Sequence, residues 1–206
     1  MDFISENILA TLYSMSFWEI VAVLLGVLYL VLAMRQHNAC WYAAFLGTFI
    51  GMVIFWKVSL LMESALNFYY LIMAAYGWWS WRSGREAKPL PIQLWSWQKH
   101  FLAILLVAVL TLVSGYWLSK HTQAALPYLD SFTTWGAIVT TWMVTRKVLE
   151  NWLYWLVVDA AAAYMYFSKE LYFFTALMLV YLVMVIFGWL KWQQEYQEQQ
   201  HAPQAA

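Results

Sequence analysis

The chain has 206 residues, 64% of them hydrophobic and 11% charged, with a mean hydropathy of +0.60. Soluble domains carry about 25% charged residues, so this chain lacks the polar surface a water-soluble globule of its size needs. Eleven basic residues balance eleven acidic ones, which removes an electrostatic case for nucleic acid, and the lone Cys40 excludes an internal disulfide.

An all-α membrane protein remains. The opening MDFISENILATLYSMSF has acidic rather than basic residues before its apolar part, unlike a cleaved signal peptide. Residues 1–16 are expected to lie outside the cytoplasm, as an interfacial helix. A spanning helix needs roughly 20 mostly apolar residues. Seven such stretches follow in order, at 17–34, 40–56, 60–81, 101–118, 131–146, 151–167 and 171–192. The fifth, SFTTWGAIVTTWMVTRK, is threonine-rich and the weakest. Residues 82–100, with Pro89 and Pro91, read as a cytoplasmic linker, and 193–206 as a polar, disordered cytoplasmic tail.

Charge sets the orientation. With seven spans, one side receives Arg35, Arg82, Arg85, Lys88, Lys99, Arg146, Lys147 and Lys191, and the other only Lys57, Lys120 and Lys169. This bias places the N-terminus outside and the C-terminus in the cytoplasm. Trp18, Trp41, Trp81, Trp117 and Trp192 fall near span ends, where an interfacial belt is expected.

Sliding the chain by 111 residues reveals a repeat. Arg35 meets Arg146, Trp41 meets Trp152, Tyr70 meets Tyr181, and GWWSW (77–81) meets GWLKW (188–192). The expected architecture is a three-helix bundle (17–81), a connecting span (101–118) and a second three-helix bundle (131–192), with both bundles pointing the same way. In such parallel repeats the substrate site lies near the midplane, between the repeats.

Asp159 sits in the middle of NWLYWLVVDAAAAYMYF. An aspartate at the centre of a membrane helix costs about 2.5–3.5 kcal/mol on insertion scales, which makes a functional role the default. Trp155 and Trp152 precede it by one and two helical turns, an arrangement suited to a cationic aromatic ligand. The alternative is an aspartate satisfied by another helix. Asn67 and Tyr70 share a face of the third span, and Tyr181 is the repeat partner of Tyr70. Asn67 fits an interhelical hydrogen bond as well as a ligand contact. Gly77 and Gly188 are candidate flex points or close-packing points. Ala43, Gly47 and Gly51 form a small-residue packing seam. No metal-ligand spacing, phosphate loop or Ser/His/Asp set is present, so neither an enzyme nor a cofactor is expected.

The runs TRKVLENWLYWLVVD (145–159) and AYGWWSW (75–81) resemble the PnuC family of bacterial vitamin transporters. The resemblance implies a SWEET-like three-plus-one-plus-three fold, a homotrimer, and import of nicotinamide riboside by facilitated diffusion, with trapping by a cytosolic vitamin kinase. It also implies relatives that carry thiamine or riboflavin. Nicotinamide riboside carriers of that family commonly show polar amides at positions matching Gly47, Asn67, Ala74, Asp159 and Phe187, of which only Asn67 is an amide here. The carboxylate at Asp159 therefore favours thiamine, with nicotinamide riboside as the alternative. The substrate-binding set is Asn67, Tyr70, Trp152, Trp155, Asp159 and Tyr181. The competing classes are a proton-coupled carrier and a non-transporting membrane scaffold.

Overall fold

The computed structural model describes residues 2–57, 61–82, 90–122 and 125–201, with the side chains of residues 2, 3, 5 and 61–63 left out. The chain is helical: α1 (Asp2–Ser14), α2 (Phe17–Met34), α3 (Cys40–Lys57), α4 (Leu61–Arg82), α5 (Trp97–His121), α6 (Pro127–Thr145), α7 (Asn151–Ser168) and α8 (Tyr172–His201). Four of these, α2, α3, α5 and α8, are long and apolar enough by length and composition to cross a membrane. The more polar α4, α6 and α7 carry Asn67, the threonines and Asp159.

Local chemistry sets the helix limits. Ser16 and Glu19 form a reciprocal capping box at the start of α2. Pro127 opens α6, where its missing N–H costs nothing. Threonine hydroxyls in α6 donate back to their own helix, Thr140 to the Gly136 carbonyl and Thr141 to that of Ala137 (both 2.7 Å). This self-satisfaction lets a threonine-rich helix pack in apolar surroundings.

The 111-residue shift carries α2, α3 and α4 onto α6, α7 and α8. Detail survives the shift. The α2–α3 and α6–α7 turns each hold a residue at φ 50°, Gln36 and Lys147, which are repeat partners. Each turn closes with the same pair of bonds: Gln36 N–H to Ala33 and His37 N–H to Leu32, Lys147 N–H to Val144 and Val148 N–H to Met143. Lys147 Nζ donates to Gln36 Oε1 at 2.8 Å, so both turns meet at one end of the molecule and the two triplets run the same way.

The core lies beside that meeting point. Trp41 packs edge-on against Trp81 at 5.2 Å, and Trp152 against Trp192 at 5.5 Å. Trp81 and Trp192 lie 6.1 Å apart across the repeat axis. The Trp81 indole donates to the Val144 carbonyl of α6 (3.2 Å), and the Trp192 indole to the Ala33 carbonyl of α2 (3.1 Å). Each triplet therefore caps the other. Trp41, Trp81 and Trp192 are buried, which corrects the interfacial-belt expectation for these three; Trp18 and Trp117 are exposed as a belt requires.

Two boundaries differ from the sequence reading. The polar tail is helical as far as His201, because α8 continues past its apolar part. The end of the linker is docked: Gln93 pairs with the α6–α7 turn through Lys147 O (3.0 Å) and Leu149 N–H (2.9 Å), and Ile92 is buried. Arg85, Lys88, Pro89 and residues 202–206 lie outside the described residues.

Gly77 and Gly188 are close-packing points. A Cβ on Gly77 would stand 2.4 Å from the Trp41 indole, and one on Gly188 2.5 Å from that of Trp152. Gly188→Ala is expected to destabilise the protein by about 1–3 kcal/mol through overpacking, read as a lower melting temperature in detergent. Burial also lowers Lys147 from its ordinary value of 10.5 to about 8, against the opposing pull of Glu195. The folded state then releases this proton before the unfolded chain does. From Lys147 alone, stability rises as pH climbs from about 8 towards 10.5. Melting curves across that range should show the rise in the wild type and lose it in Lys147→Met.

Candidate functional site

Away from the tryptophan core, four helices converge on Asp159. The side chain is buried on α7, 6% exposed, with no hydrogen-bond or ion-pair partner among the described residues. Its helix is pressed close to α6, where a Cβ on Gly136 would stand 2.7 Å from Val158. Tyr70 of α4 and Tyr181 of α8 both lie within electrostatic reach of the Asp159 carboxylate. The Tyr181 hydroxyl is seated on Gly26 of α2, where a Cβ would approach it to 2.6 Å. Repeat partners Tyr70 and Tyr181 are thus brought to one acid.

Trp155 is half-buried one turn from Asp159 and packs against the core cluster. Trp152 is 2% exposed, clamped between Gly188 and Trp192. It is committed to the core, so of the two tryptophans Trp155 is the one left partly open. Asn67 holds a different place, its amide oxygen against Gly51 of α3, where a Cβ would come within 2.7 Å. Gly51 and Gly47, the latter against Leu25 and Ala22 of α2, belong to the packing seam read from the sequence.

Two further tyrosines join the site. Tyr29 of α2 and Tyr166 of α7 lie near Tyr70, and the Tyr29 ring lies 6.0 Å from Trp41. Their repeat partners are Thr140 and Phe55, so the repeat could not flag them. The available signal was polarity alone, a hydroxyl in LGVLYLVL. Tyr69 Oη donates to the Ile138 carbonyl at 3.0 Å and ties α4 to α6 across the triplets. Chemically, the arrangement offers a carboxylate without a charge partner among the described residues, several aromatic faces and phenolic donors. Such a set is suited to holding a cation.

Two clefts open elsewhere. One, of about 620 Å³, lies between α2 and α8 near Arg35 and Lys191, and another, of about 450 Å³, lies between α3 and α4 around Trp41 and Trp78. Neither is lined by Asp159.

Known proteins share this plan. The chain is 26% identical over 222 residues to the nicotinamide riboside transporter PnuC of Escherichia coli (strain K12), covering 89% of this chain and 90% of that one. It is 23% identical over 180 residues to the riboflavin/roseoflavin transporter RibM of Streptomyces davaonensis, covering 84% and 83% respectively. A crystal structure of the vitamin B3 transporter PnuC superposes with a TM-score of 0.70 at 20% identity, over 95% of this chain and 89% of that one. The nicotinamide mononucleotide transporter family matches residues 16–194, nearly the full length, and the chain is a member of that family of membrane transporters.

Proposed function

We propose that this protein imports nicotinamide riboside across a bacterial inner membrane by facilitated diffusion. The observation that carries the reading is the match over nearly the whole chain to a relative named for nicotinamide riboside, in a chain of this family; Asp159, without a charge partner among the described residues and near Tyr70 and Tyr181, suits such a cation. A carboxylate held out of water favours a cation, and aromatic faces beside it add cation–π attraction. Nicotinamide riboside presents a positively charged pyridinium ring. The Escherichia coli relative named for it matches over nearly its whole length. Riboflavin, named for the Streptomyces relative, has a neutral ring system and leaves Asp159 uncompensated. The preference drawn from the sequence is thereby reversed: thiamine rested on the Asp159–Trp155 pair and on the missing amides at Gly47, Ala74 and Phe187, and neither relative is named for it. Thiamine stays as the second reading, because its cation and aminopyrimidine also suit a free carboxylate.

In this reading α2–α8 are seven spans in a SWEET-like three-plus-one-plus-three arrangement, α5 being the connector. The N-terminus is outside and the C-terminus cytoplasmic. The two triplets rock about the Asp159 level, Trp155 stacks on the ligand, Tyr70 and Tyr181 close over it, and Asn67 holds α4 against α3. Trp152 acts by holding α7 in the core. The protein assembles as a homotrimer, and a cytosolic kinase traps the vitamin by phosphorylation.

Calorimetric titration with nicotinamide riboside, thiamine and riboflavin tests the substrate: nicotinamide riboside should bind tightest, and thiamine binding more than tenfold tighter would replace it. Asp159→Asn should weaken binding of the cationic vitamin ten- to hundredfold, about 1.4–2.8 kcal/mol, while the melting temperature holds or rises because a buried charge is gone. Proteoliposome uptake should equilibrate without a proton gradient; accumulation driven by one would make the protein a proton-coupled carrier.

A further inference from the structure

The two triplets meet through two repeat-related contacts, α4 on α6 and α2 on α8, and these are filled differently. At the α4–α6 contact Tyr76 stacks on Trp142 at 5.6 Å and 9°, with Trp79 5.9 Å from Tyr76. Arg146 completes this aromatic plug, donating to the Tyr76 hydroxyl at 3.0 Å and lying 5.3 Å over the Trp142 ring. The shift of 111 residues turns Trp142 into Val31, Tyr76 into Phe187, Trp79 into Leu190 and Arg146 into Arg35. Every ring in the plug is replaced by a smaller side chain or one without a hydroxyl. The α2–α8 contact accordingly holds an open cleft of about 620 Å³, lined by Val31, Met34, Phe187 and Leu190, with Arg35 and Lys191 at its rim.

One rim cation is unengaged among the described residues; the other, Lys191, has an acid nearby. Arg35 is exposed and its guanidinium has no partner among the described residues, whereas its counterpart Arg146 is engaged twice. The nearby acid, Glu195, accepts a hydrogen bond from Gln36 and interacts electrostatically with Lys191. Phe187 and Leu190 are 61% and 54% exposed on a helix apolar enough to cross a membrane, as is α2 opposite.

We propose that this cleft is a binding site for an anionic phospholipid. Its phosphate lies between Arg35 and Lys191, and an acyl chain runs along Val31, Phe187 and Leu190 into the space that the Tyr76–Trp142 stack fills at the related contact. An apolar groove mouthed by two cations at the end of membrane helices matches a headgroup and tail together; a free phosphate would use only the rim. The lipid would wedge one of the two inter-triplet contacts, leaving the other sealed by protein.

Native mass spectrometry of the detergent-purified protein with added phosphatidylglycerol or phosphatidylcholine tests the site. Phosphatidylglycerol should be retained at least tenfold more tightly than phosphatidylcholine. Val31→Trp, which rebuilds the plug while keeping both charges, should weaken it at least tenfold. Arg35→Gln with Lys191→Gln should do the same while leaving the melting temperature in lipid-free detergent unchanged. Retention by Val31→Trp as tight as by the wild type would overturn the proposal, as would equal retention of the two lipids. A change of oligomeric mass in Val31→Trp with lipid retention intact would instead assign the cleft to a second copy of the chain.

Discussion

The crossed pair of indole hydrogen bonds, Trp81 to Val144 and Trp192 to Ala33, is the constraint on which the rest depends. In a membrane the apolar effect does not drive one helix against another, since lipid tails are as apolar as leucine; packing and hydrogen bonds must do it. The carbonyls used lie near the C-termini of α6 and α2, where each also accepts a turn N–H, Val144 from Lys147 and Ala33 from Gln36. Each triplet supplies a further donor to the other. Around these bonds sit the four tryptophans and, at their rim, Lys147 bonded to Gln36 and 4.8 Å from the Trp81 ring.

Fixing the triplets at this one end has a consequence for the Asp159 region. Helices pinned by packed rings near their turns present the next stretch of each helix to a common space. Asp159 of α7 and Tyr70 of α4 lie there, with Tyr181 of α8 and Tyr29 of α2 packed both on the core cluster and near them. Trp155 lies between the two regions, packed on the core cluster while remaining half-exposed. The same tryptophans that hold the triplets together thus also position the face of α7 that presents the acid.

The repeat is a frame on which differences carry the function. Asp159 stands where the first triplet has Thr48, whose hydroxyl is spent on the Ala44 carbonyl. Lys147 stands opposite Gln36, which turns a self-contact on the axis into a donor–acceptor pair. Trp142 stands opposite Val31, which seals one inter-triplet contact and leaves the other cleft. Duplication supplied two equal halves, and single substitutions made the molecule one-sided.

Periodicity, charge bias and the 111-residue shift determined the helices, their pairing into two triplets and the oddity of Asp159, because each follows from local composition. The weak fifth helix was legible through the charge count and its repeat partner, and in α6 Thr140 and Thr141 donate to carbonyls of their own helix. What the tertiary structure decided was which side chains point at one another. It moved Trp41, Trp81 and Trp192 from a presumed belt into the core, committed Trp152 to packing, set Asn67 against Gly51, and added Tyr29 and Tyr166. The reason is geometric: position along a helix is written in the sequence, but a contact between helices depends on the rotation of both, and local composition specifies neither.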